Sequence, residues 1–346
     1  MHPWGGCDGG FDSRCPEGNN MLYQEQIYGE IEISNPAILE LINTPSLQRL
    51  KGVDQAGYSE AHFPAAFTRF DHSIGVFYLL KKYNAPIEEQ VAGLIHDVSH
   101  SAFSHCIDYA LDGGSEKEHN HQDNVFNEFV KNSEIPMILK KYDFDLEYIL
   151  NDKNFPLKEK ELPDLCADRI DYSLRTALLF NELSSEGVKY FLDNLVTENN
   201  NWIFKKFEPA KKYAELFFKL NKKLYSGLAS AIMFKTVGDY LKYALKKAYI
   251  SKDDLYTTDE IVLSEIEKHL KDDEQLRLFY ERMNKKIKAS NNPENYNVQV
   301  FCKSRIVNPL CKDNGEVKRV SDIDANWTKI LEKESKPKQY FLKFER

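Results

Sequence analysis

One uncharged, histidine-rich stretch, residues 93–105, constrains the fold of this chain more than any other. Between Gln90 and Ile107 the sole charged side chain is Asp97, and three of the nine histidines lie within ten positions. Pro86 precedes the run and suits the first turn of a helix, and apolar residues recur with the spacing of a buried helical face. An ionised carboxylate buried among imidazoles is very costly without a cationic partner. The stretch therefore predicts a buried helix that carries a divalent metal site.

Length and composition exclude several classes of protein. The chain has 346 residues, 42% of them hydrophobic, and a net charge of −8. These values indicate a globular protein with a real core, and argue against a general binder of nucleic acid or anionic membranes. No run approaches the roughly 18 apolar residues of a membrane span, and the N-terminus lacks the regions of a signal peptide. The six cysteines have no metal-type spacing, so we expect reduced thiols in a cytoplasmic protein.

Positive charge is concentrated in residues 201–250, where eleven lysines stand against three acidic residues. Solvated faces of amphipathic helices are the simpler interpretation and the one that we favour. The alternative is a groove for a polyphosphate, an effector nucleotide or a single strand of nucleic acid.

Helical patterns dominate the order of elements. A capping residue followed by proline marks helix starts at Asn35-Pro36 and Thr44-Pro45, and Leu165–Phe180 has the pattern of a strong helix. From Asn297 onward, valines among turn signals predict a small β-containing tail. We expect a mainly α protein in three parts, which are a disordered leader or artificial extension (1–20), a helical domain (21–290) and a small α+β C-terminal region packed on it (291–346).

Four residues on or beside these helices form a plausible metal set. They are His72, His96, Asp97 and Asp168. Two imidazoles and two carboxylates suit Mn, Fe, Mg or Zn, and they leave coordination positions for water and substrate. Such an open site can acidify water for attack on phosphorus. A lone histidine or an adjacent His-Asp pair is weak evidence, so the prediction depends on all four together.

Three motifs around these residues resemble the HD-domain phosphohydrolases. The motifs are Arg69-Phe70-Asp71-His72-Ser73-Ile74-Gly75, His96-Asp97-x-x-His100-x-x-Phe103-Ser104-His105 and Asp168-Arg169-Ile170-Asp171-Tyr172. Their combination is similar, more narrowly, to the deoxynucleoside triphosphate triphosphohydrolase branch of that family. The resemblance implies an HD-domain helical bundle in which the four residues named above hold the metal.

The resemblance also implies roles for residues around the metal. His121, supported by Asp108, matches the histidine that protonates the leaving 5′ oxygen, and His119 is a competing candidate. His100 is expected to take part in catalysis. The residues expected to bind substrate are Gln55, Arg69, His105, Arg169 and Tyr172.

The implied activity is hydrolysis of a deoxynucleoside triphosphate to deoxynucleoside and inorganic triphosphate. One alternative keeps the metal site and changes the substrate to a monophosphate, a signalling nucleotide or a phosphodiester. Another is a regulatory protein that binds nucleotides or single-stranded nucleic acid. By the same resemblance we expect a homo-oligomer, and we expect no association with membranes.

Overall fold

A computed structural model describes residues 20–111 and 115–345 of the chain. The leader predicted over residues 1–20 lies, apart from its last residue, outside the described part. The described residues are mainly helical, as predicted. Their α-helices are α1 (Pro36–Ile42), α2 (Pro45–Gln48), α3 (Ser59–His62), α4 (Arg69–Lys82), α5 (Ile87–Ile95), α6 (His121–Lys131), α7 (Ile135–Lys141), α8 (Leu146–Ile149), α9 (Ala167–Leu179), α10 (Ser185–Asp193), α11 (Phe207–Leu220), α12 (Leu228–Lys246), α13 (Asp259–Glu267), α14 (Glu274–Met283), α15 (Val320–Ile323) and α16 (Ala325–Glu334).

Short turns of other helix types connect these elements. The 3₁₀ turns are Arg49–Gly52, Ser104–Tyr109, Asp152–Asn154 and Asp254–Tyr256, and a π-helical turn, Asn221–Tyr225, directly follows α11. No described helix is long and apolar enough to cross a membrane.

Strands form small sheets at the edges of the helical core. The strands are β1 (Met21–Glu25), β2 (Gly29–Ile33), β3 (Leu195–Glu198), β4 (Asn201–Phe204), β5 (Lys288–Asn291), β6 (Val298–Cys302), β7 (Leu310–Asp313), β8 (Glu316–Arg319) and β9 (Lys338–Glu345). β1 and β2 form a hairpin, and the other sheets have the orders β3-β4-β7-β8 and β5-β9-β6.

Strands from before and after residue 290 pair with each other. β5 is antiparallel to β9, and β4 is parallel to β7, with Ile203 opposite Leu310. The β-containing tail is therefore present, but its sheets also take strands from the helical part of the chain. The division into domains at residue 290 stays a prediction.

The two helix starts marked by proline are confirmed. The Asn35 side chain accepts hydrogen bonds from the amides of Ala37 and Ile38, and α1 begins at Pro36. The Thr44 hydroxyl accepts from the amide of Leu47 in the same way. Each cap satisfies amides that a helix leaves unpaired at its N-terminus.

The central helix is shorter than its uncharged sequence predicts. α5 ends at Ile95, so His96 and Asp97 lie in the turn that follows it. The reason is a long-range contact, since the Arg49 guanidinium donates to the carbonyls of Val98 and His100, each at 2.6 Å. Those carbonyls are satisfied without a further helical turn, and the turn brings the His-Asp pair to the surface of a cavity.

Two glycines let α4 pack closely against its neighbours. A Cβ on Gly75 would overlap the Asp171 carboxylate on α9, and a Cβ on Gly93 of α5 would overlap the Leu80 side chain on α4. These close approaches bring α4, α5 and α9 together at the predicted metal residues.

At least five of the eleven lysines of residues 201–250 form ion pairs with acids on their own or a neighbouring element. The pairs include Lys211–Asp324, Lys212–Glu208, Lys219–Glu182, Lys223–Glu182 and Lys235–Asp239. This arrangement favours solvated helix faces over a basic groove.

Candidate metal centre and catalytic cavity

Three of the four predicted metal ligands, His72, His96 and Asp168, converge where α4, α5 and α9 meet, with ligand atoms all within 4.8 Å of one another. Asp97 lies beside them. Nε2 of His72 lies 3.3 Å from Nε2 of His96 and 2.8 Å from Oδ1 of Asp168. Nε2 of His96 lies 3.4 Å from Oδ1 of Asp97. Ligands bound about 2.1 Å from one ion stand about 3.0 to 3.4 Å apart at right or tetrahedral angles, so these spacings fit a shared metal.

The far nitrogens of both imidazoles are held by hydrogen bonds. Nδ1 of His72 lies 2.7 Å from Oδ2 of Asp171, and Nδ1 of His96 lies 2.7 Å from the carbonyl of Gly93. Each Nδ1 therefore donates a hydrogen bond, and this orients the two Nε2 atoms toward each other within the cluster. Metal-binding histidines are commonly oriented in this way by a carboxylate or a carbonyl, and the residues fit a divalent ion.

The electrostatics of the cluster favour the binding of a positive ion. Burial would lower the pKa of His72, but hydrogen bonds to Asp168 and Asp171 outweigh burial and raise that pKa to about 9. Burial would raise the pKa of Asp97, yet Arg69 and the nearby histidines hold it below its ordinary value. The pKa of Asp168 is also lowered, by His72 and His96, against the effect of burial. The carboxylates are therefore ionised and ready to bind a cation.

Asp171 sits at the centre of a buried network that orients His72. Its carboxylate accepts from the Tyr28 hydroxyl at 2.7 Å and from Nη2 of Arg175 at 3.0 Å. Arg175 also donates to Glu25 at 2.6 Å, and both residues are buried. The β1–β2 hairpin thus braces the metal site, a contact that the sequence did not reveal.

Replacing Asp171 with asparagine is expected to weaken Mn²⁺ binding about 10- to 100-fold, because the His72 imidazole loses the partner that fixes its tautomer. Titration calorimetry with Mn²⁺ would measure the affinity. Asp193→Asn, at an exposed residue that pairs with Lys189, is the control. An affinity equal to that of the wild-type protein would show that Asp171 does not support the site.

A cavity of about 860 Å³ opens over the cluster, a volume typical of small-molecule sites. Most residues that the sequence assigned to metal, catalysis or substrate line it. They are Gln55, Arg69, His96, Asp97, His100, His105, Asp168, Arg169 and Tyr172. His72 is buried behind the surface of the cavity, and neither Asp108 nor His121 lines it.

The two candidate histidines after the central stretch point in different directions. His119 lines the cavity, and its ring centroid lies 5.0 Å from that of His105. Nε2 of His119 meets the Tyr109 hydroxyl at 3.0 Å, whereas its buried Nδ1 has no hydrogen-bond partner among the described residues. The His121 ring instead contacts the Tyr256 hydroxyl at 3.3 Å.

Asp108 connects these histidines. One carboxylate oxygen lies 3.4 Å from Nδ1 of His105, and the other accepts from the backbone amide of His121 at 3.0 Å. Ligand atoms of His105, Asp108 and His119 all lie within 4.8 Å of one another. Asp108 therefore contacts the side chain of His105 but only the backbone of His121.

Burial sets the protonation of the cavity histidines. It lowers the pKa of His100, His105 and His119 well below the usual value, with the positive charge of Arg69 adding to the effect at the first two. These imidazoles are neutral at physiological pH, and the charge of a bound phosphate would raise their pKa.

Both arginines that the sequence assigned to phosphate are engaged with protein acids. Arg69 donates to Asp97 at 2.8 Å, and Arg169 donates to Glu159 at 3.0 Å. Two basic residues from the C-terminal part of the chain, Lys303 and Arg305, also line the cavity. Sequence reasoning missed both as site residues, although their spacing places two basic side chains on one side of an extended segment.

A family model and several relatives match parts of the chain. A family model described as HD domain matches residues 69–176. The uncharacterized protein YdhJ of Bacillus subtilis is 36% identical over 246 residues, which cover 70% of this chain and 74% of YdhJ. The metal-dependent phosphohydrolase cns2 of Cordyceps militaris is 31% identical over 227 residues, with 64% of this chain and 65% of cns2 covered.

A more distant relative matches a shorter segment. The deoxynucleoside triphosphate triphosphohydrolase SAMHD1 of Mus musculus is 32% identical over 142 residues, which are 35% of this chain and 21% of SAMHD1.

Two crystal structures share the fold. A phosphohydrolase from Bacteroides thetaiotaomicron superposes with a TM-score of 0.70 at 16% identity, over 94% of this chain and all of its own. A hypothetical protein from Aquifex aeolicus also gives 0.70, at 19% identity, over 94% of this chain and 96% of its own. The matched segment holds all four predicted metal ligands, and the chain belongs to the HD-domain family of metal-dependent phosphohydrolases.

Proposed function

We propose that this chain hydrolyses deoxynucleoside triphosphates to deoxynucleoside and inorganic triphosphate. The supporting observation is that one cavity is lined by three residues of the cluster, by the His105–His119 pair and by basic side chains from separate parts of the chain, while His72 of the cluster is buried behind its wall. The partial similarity to SAMHD1, whose name states this activity, agrees with the proposal.

The metal set determines where the reacting phosphate must lie. A divalent ion held by His72, His96, Asp97 and Asp168 would polarise a phosphoryl oxygen and acidify water at the site. Two imidazoles with two carboxylates suit Mn, Fe or Zn, and Mg is a further candidate. His105 and His119 line the same cavity as His96, Asp97 and Asp168 of the cluster.

His119 is the better candidate for the proton donor. Its Nδ1 is buried, has no partner among the described residues and belongs to a ring that lines the cavity. A phosphate anion beside it favours the imidazolium form, which can protonate a leaving alkoxide. Asp108, in contact with His105, helps to keep the proton on this histidine pair. His121 would supply the backbone amide that orients Asp108.

Gln55 is the candidate residue for recognising a hydroxyl group of the sugar. Its Oε1 is buried in the cavity wall without a hydrogen-bond partner among the described residues. A buried acceptor without a donor costs free energy, and a sugar hydroxyl would satisfy it. Tyr172, which packs against Tyr225 in the same wall, would lie beside the ring of the sugar.

Product analysis tests this function. The protein loaded with Mn²⁺ is incubated with each dNTP and each NTP, and the products are separated by ion exchange. Nucleoside with triphosphate is the expected pair. Release of inorganic phosphate instead would indicate a phosphatase, and no consumption under any metal would overturn the polyphosphate substrate. A homo-oligomer and single-stranded nucleic acid as a ligand stay predictions.

A further inference from the structure

The segment after β6 delivers two basic side chains to the catalytic cavity. Lys303 and Arg305 line the cavity, whereas the intervening Ser304 is buried. The next residues, Ile306 and Val307, are buried in the core and fix the far end of the segment. The C-terminal part of the chain therefore completes a cavity whose metal ligands lie more than a hundred residues earlier.

Arg305 differs from the other two arginines of the cavity. Arg69 and Arg169 each hold a protein carboxylate. The Arg305 guanidinium makes no hydrogen bond or ion pair within the described ranges 20–111 and 115–345; only its backbone amide is bonded. Its donors are free for a ligand, and a guanidinium can bind two phosphate oxygens at once.

The positive charge of Arg305 acts on His119, the proposed proton donor. Burial is the main cause of the lowered pKa of His119, and the charges of His105 and Arg305 add to it. A phosphate bound by Arg305 would therefore lie close to the histidine pair that faces the metal cluster.

Asn221 holds the backbone of Arg305 in place. Its Oδ1 accepts from the Arg305 amide at 2.9 Å, and its Nδ2 donates to the Ser304 hydroxyl at 3.0 Å. Ser304 in turn donates to the carbonyl of Glu334 at 2.7 Å. Asn221 is completely buried and opens the π-helical turn after α11, and such turns frequently occur at functional sites.

We propose that Arg305 binds substrate phosphate and that Asn221 is the positioning residue that directs Arg305 into the cavity. The inference rests on the proposed function in taking a polyphosphate as the ligand. It explains why both the oxygen and the nitrogen of the Asn221 side-chain amide bond to the segment that carries Arg305.

Binding of inorganic tripolyphosphate tests the proposal without turnover. Calorimetry on the full chain, with Mn²⁺ in excess of tripolyphosphate, gives the affinity of each variant. Arg305→Ala is expected to bind about tenfold or more weakly, since the guanidinium donates charge-assisted hydrogen bonds to phosphate oxygens. Arg305→Lys keeps the charge and should recover part of the loss. Arg277→Ala, which removes an exposed arginine that bonds backbone carbonyls, is the control and should bind normally.

A double-mutant cycle separates positioning from folding. Asn221→Ala should weaken tripolyphosphate binding, yet add nothing to the loss already caused by Arg305→Ala, because it acts through that residue. A purely structural role would lower the melting temperature and leave the affinity unchanged. Where Asn221→Ala does not fold, Asn221→Ser is used in the same cycle.

The possible outcomes distinguish this inference from the proposed function. Wild-type affinity in Arg305→Ala, or no tripolyphosphate binding by the wild-type protein, overturns the inference even if dNTPs are hydrolysed. Additive losses in the cycle overturn the role of Asn221. Arg305-dependent binding of tripolyphosphate without dNTP hydrolysis supports the inference about Arg305 and contradicts the proposed function.

Discussion

Asp168→Ala is expected to abolish Mn²⁺-dependent hydrolysis, with kcat/KM lower by about three orders of magnitude or more. The side chain is one of the predicted metal ligands, and a metal bound there would supply several kcal/mol of transition-state stabilisation, where each 1.36 kcal/mol is about tenfold in rate. Activity against a dNTP and Mn²⁺ affinity by calorimetry would be measured together. Both should fall, because the ion and the rate depend on the same carboxylate.

The fold should survive this substitution. Asp168 lies in the first turn of α9, and its side chain contacts the His72 and His96 rings rather than the hydrophobic core. Removing the Asp168 carboxylate does not take the acidic partner from a buried arginine. Asp97→Ala, in contrast, would leave the buried Arg69 without its partner. The melting temperature of the metal-free variant should therefore stay close to that of the metal-free wild-type protein.

Chelation gives an independent control. EDTA should abolish hydrolysis by the wild-type protein, and added Mn²⁺ should restore it. The activity of Asp168→Ala should respond to neither treatment. Asp253→Ala, which removes an exposed acid in the turn before α13, should behave as wild type. If Asp168→Ala kept Mn²⁺-dependent activity, the converging residues would not be the metal site that drives the reaction.

Local chemistry explains what the sequence predicted well. A cap followed by proline acts within one helical turn, so the starts at Asn35-Pro36 and Thr44-Pro45 could be recognised without tertiary information. His96 and Asp97 could be singled out as metal-binding candidates for a different reason, since a buried acid beside imidazoles in an otherwise uncharged stretch requires compensation.

Contacts between distant segments explain what the sequence did not predict. The end of α5 depends on Arg49, which lies almost fifty residues before the carbonyls that it binds. The backbone of Arg305, a residue of the cavity lining, is bonded to the side chain of Asn221, eighty-four residues earlier. Neither pairing leaves a periodic or local signal, and so neither could be predicted from one sequence.

The different surroundings of His119 and His121 depend on backbone conformation. His119 has a positive φ of 50°, whereas His121 begins α6. That left-handed residue turns the chain so that two histidines only two positions apart face different environments. Their neighbours in the sequence are equally polar, so composition gave no reason to prefer the buried one.

His119→Gln is expected to lower kcat by about 10²- to 10⁴-fold, the usual contribution of a positioned proton donor. The His119 ring faces the cavity beside His105, and glutamine keeps polar atoms in a buried site without an ionisable group. KM should change little, because the proton is needed in the transition state rather than in the bound substrate. Steady-state rates of nucleoside release from a dNTP would give both constants.

His121→Gln is the matched control, because it makes the same change two residues away on a ring that contacts Tyr256 outside the cavity. Its backbone amide, which holds Asp108, is unaffected by the substitution, so kcat should stay within a few-fold of wild type. Equal melting temperatures would exclude unfolding of the buried His119 site as the cause of a loss. If instead His121→Gln lost the activity and His119→Gln kept it, the proton donor would be His121, and the loop that carries both residues would have to turn when substrate binds.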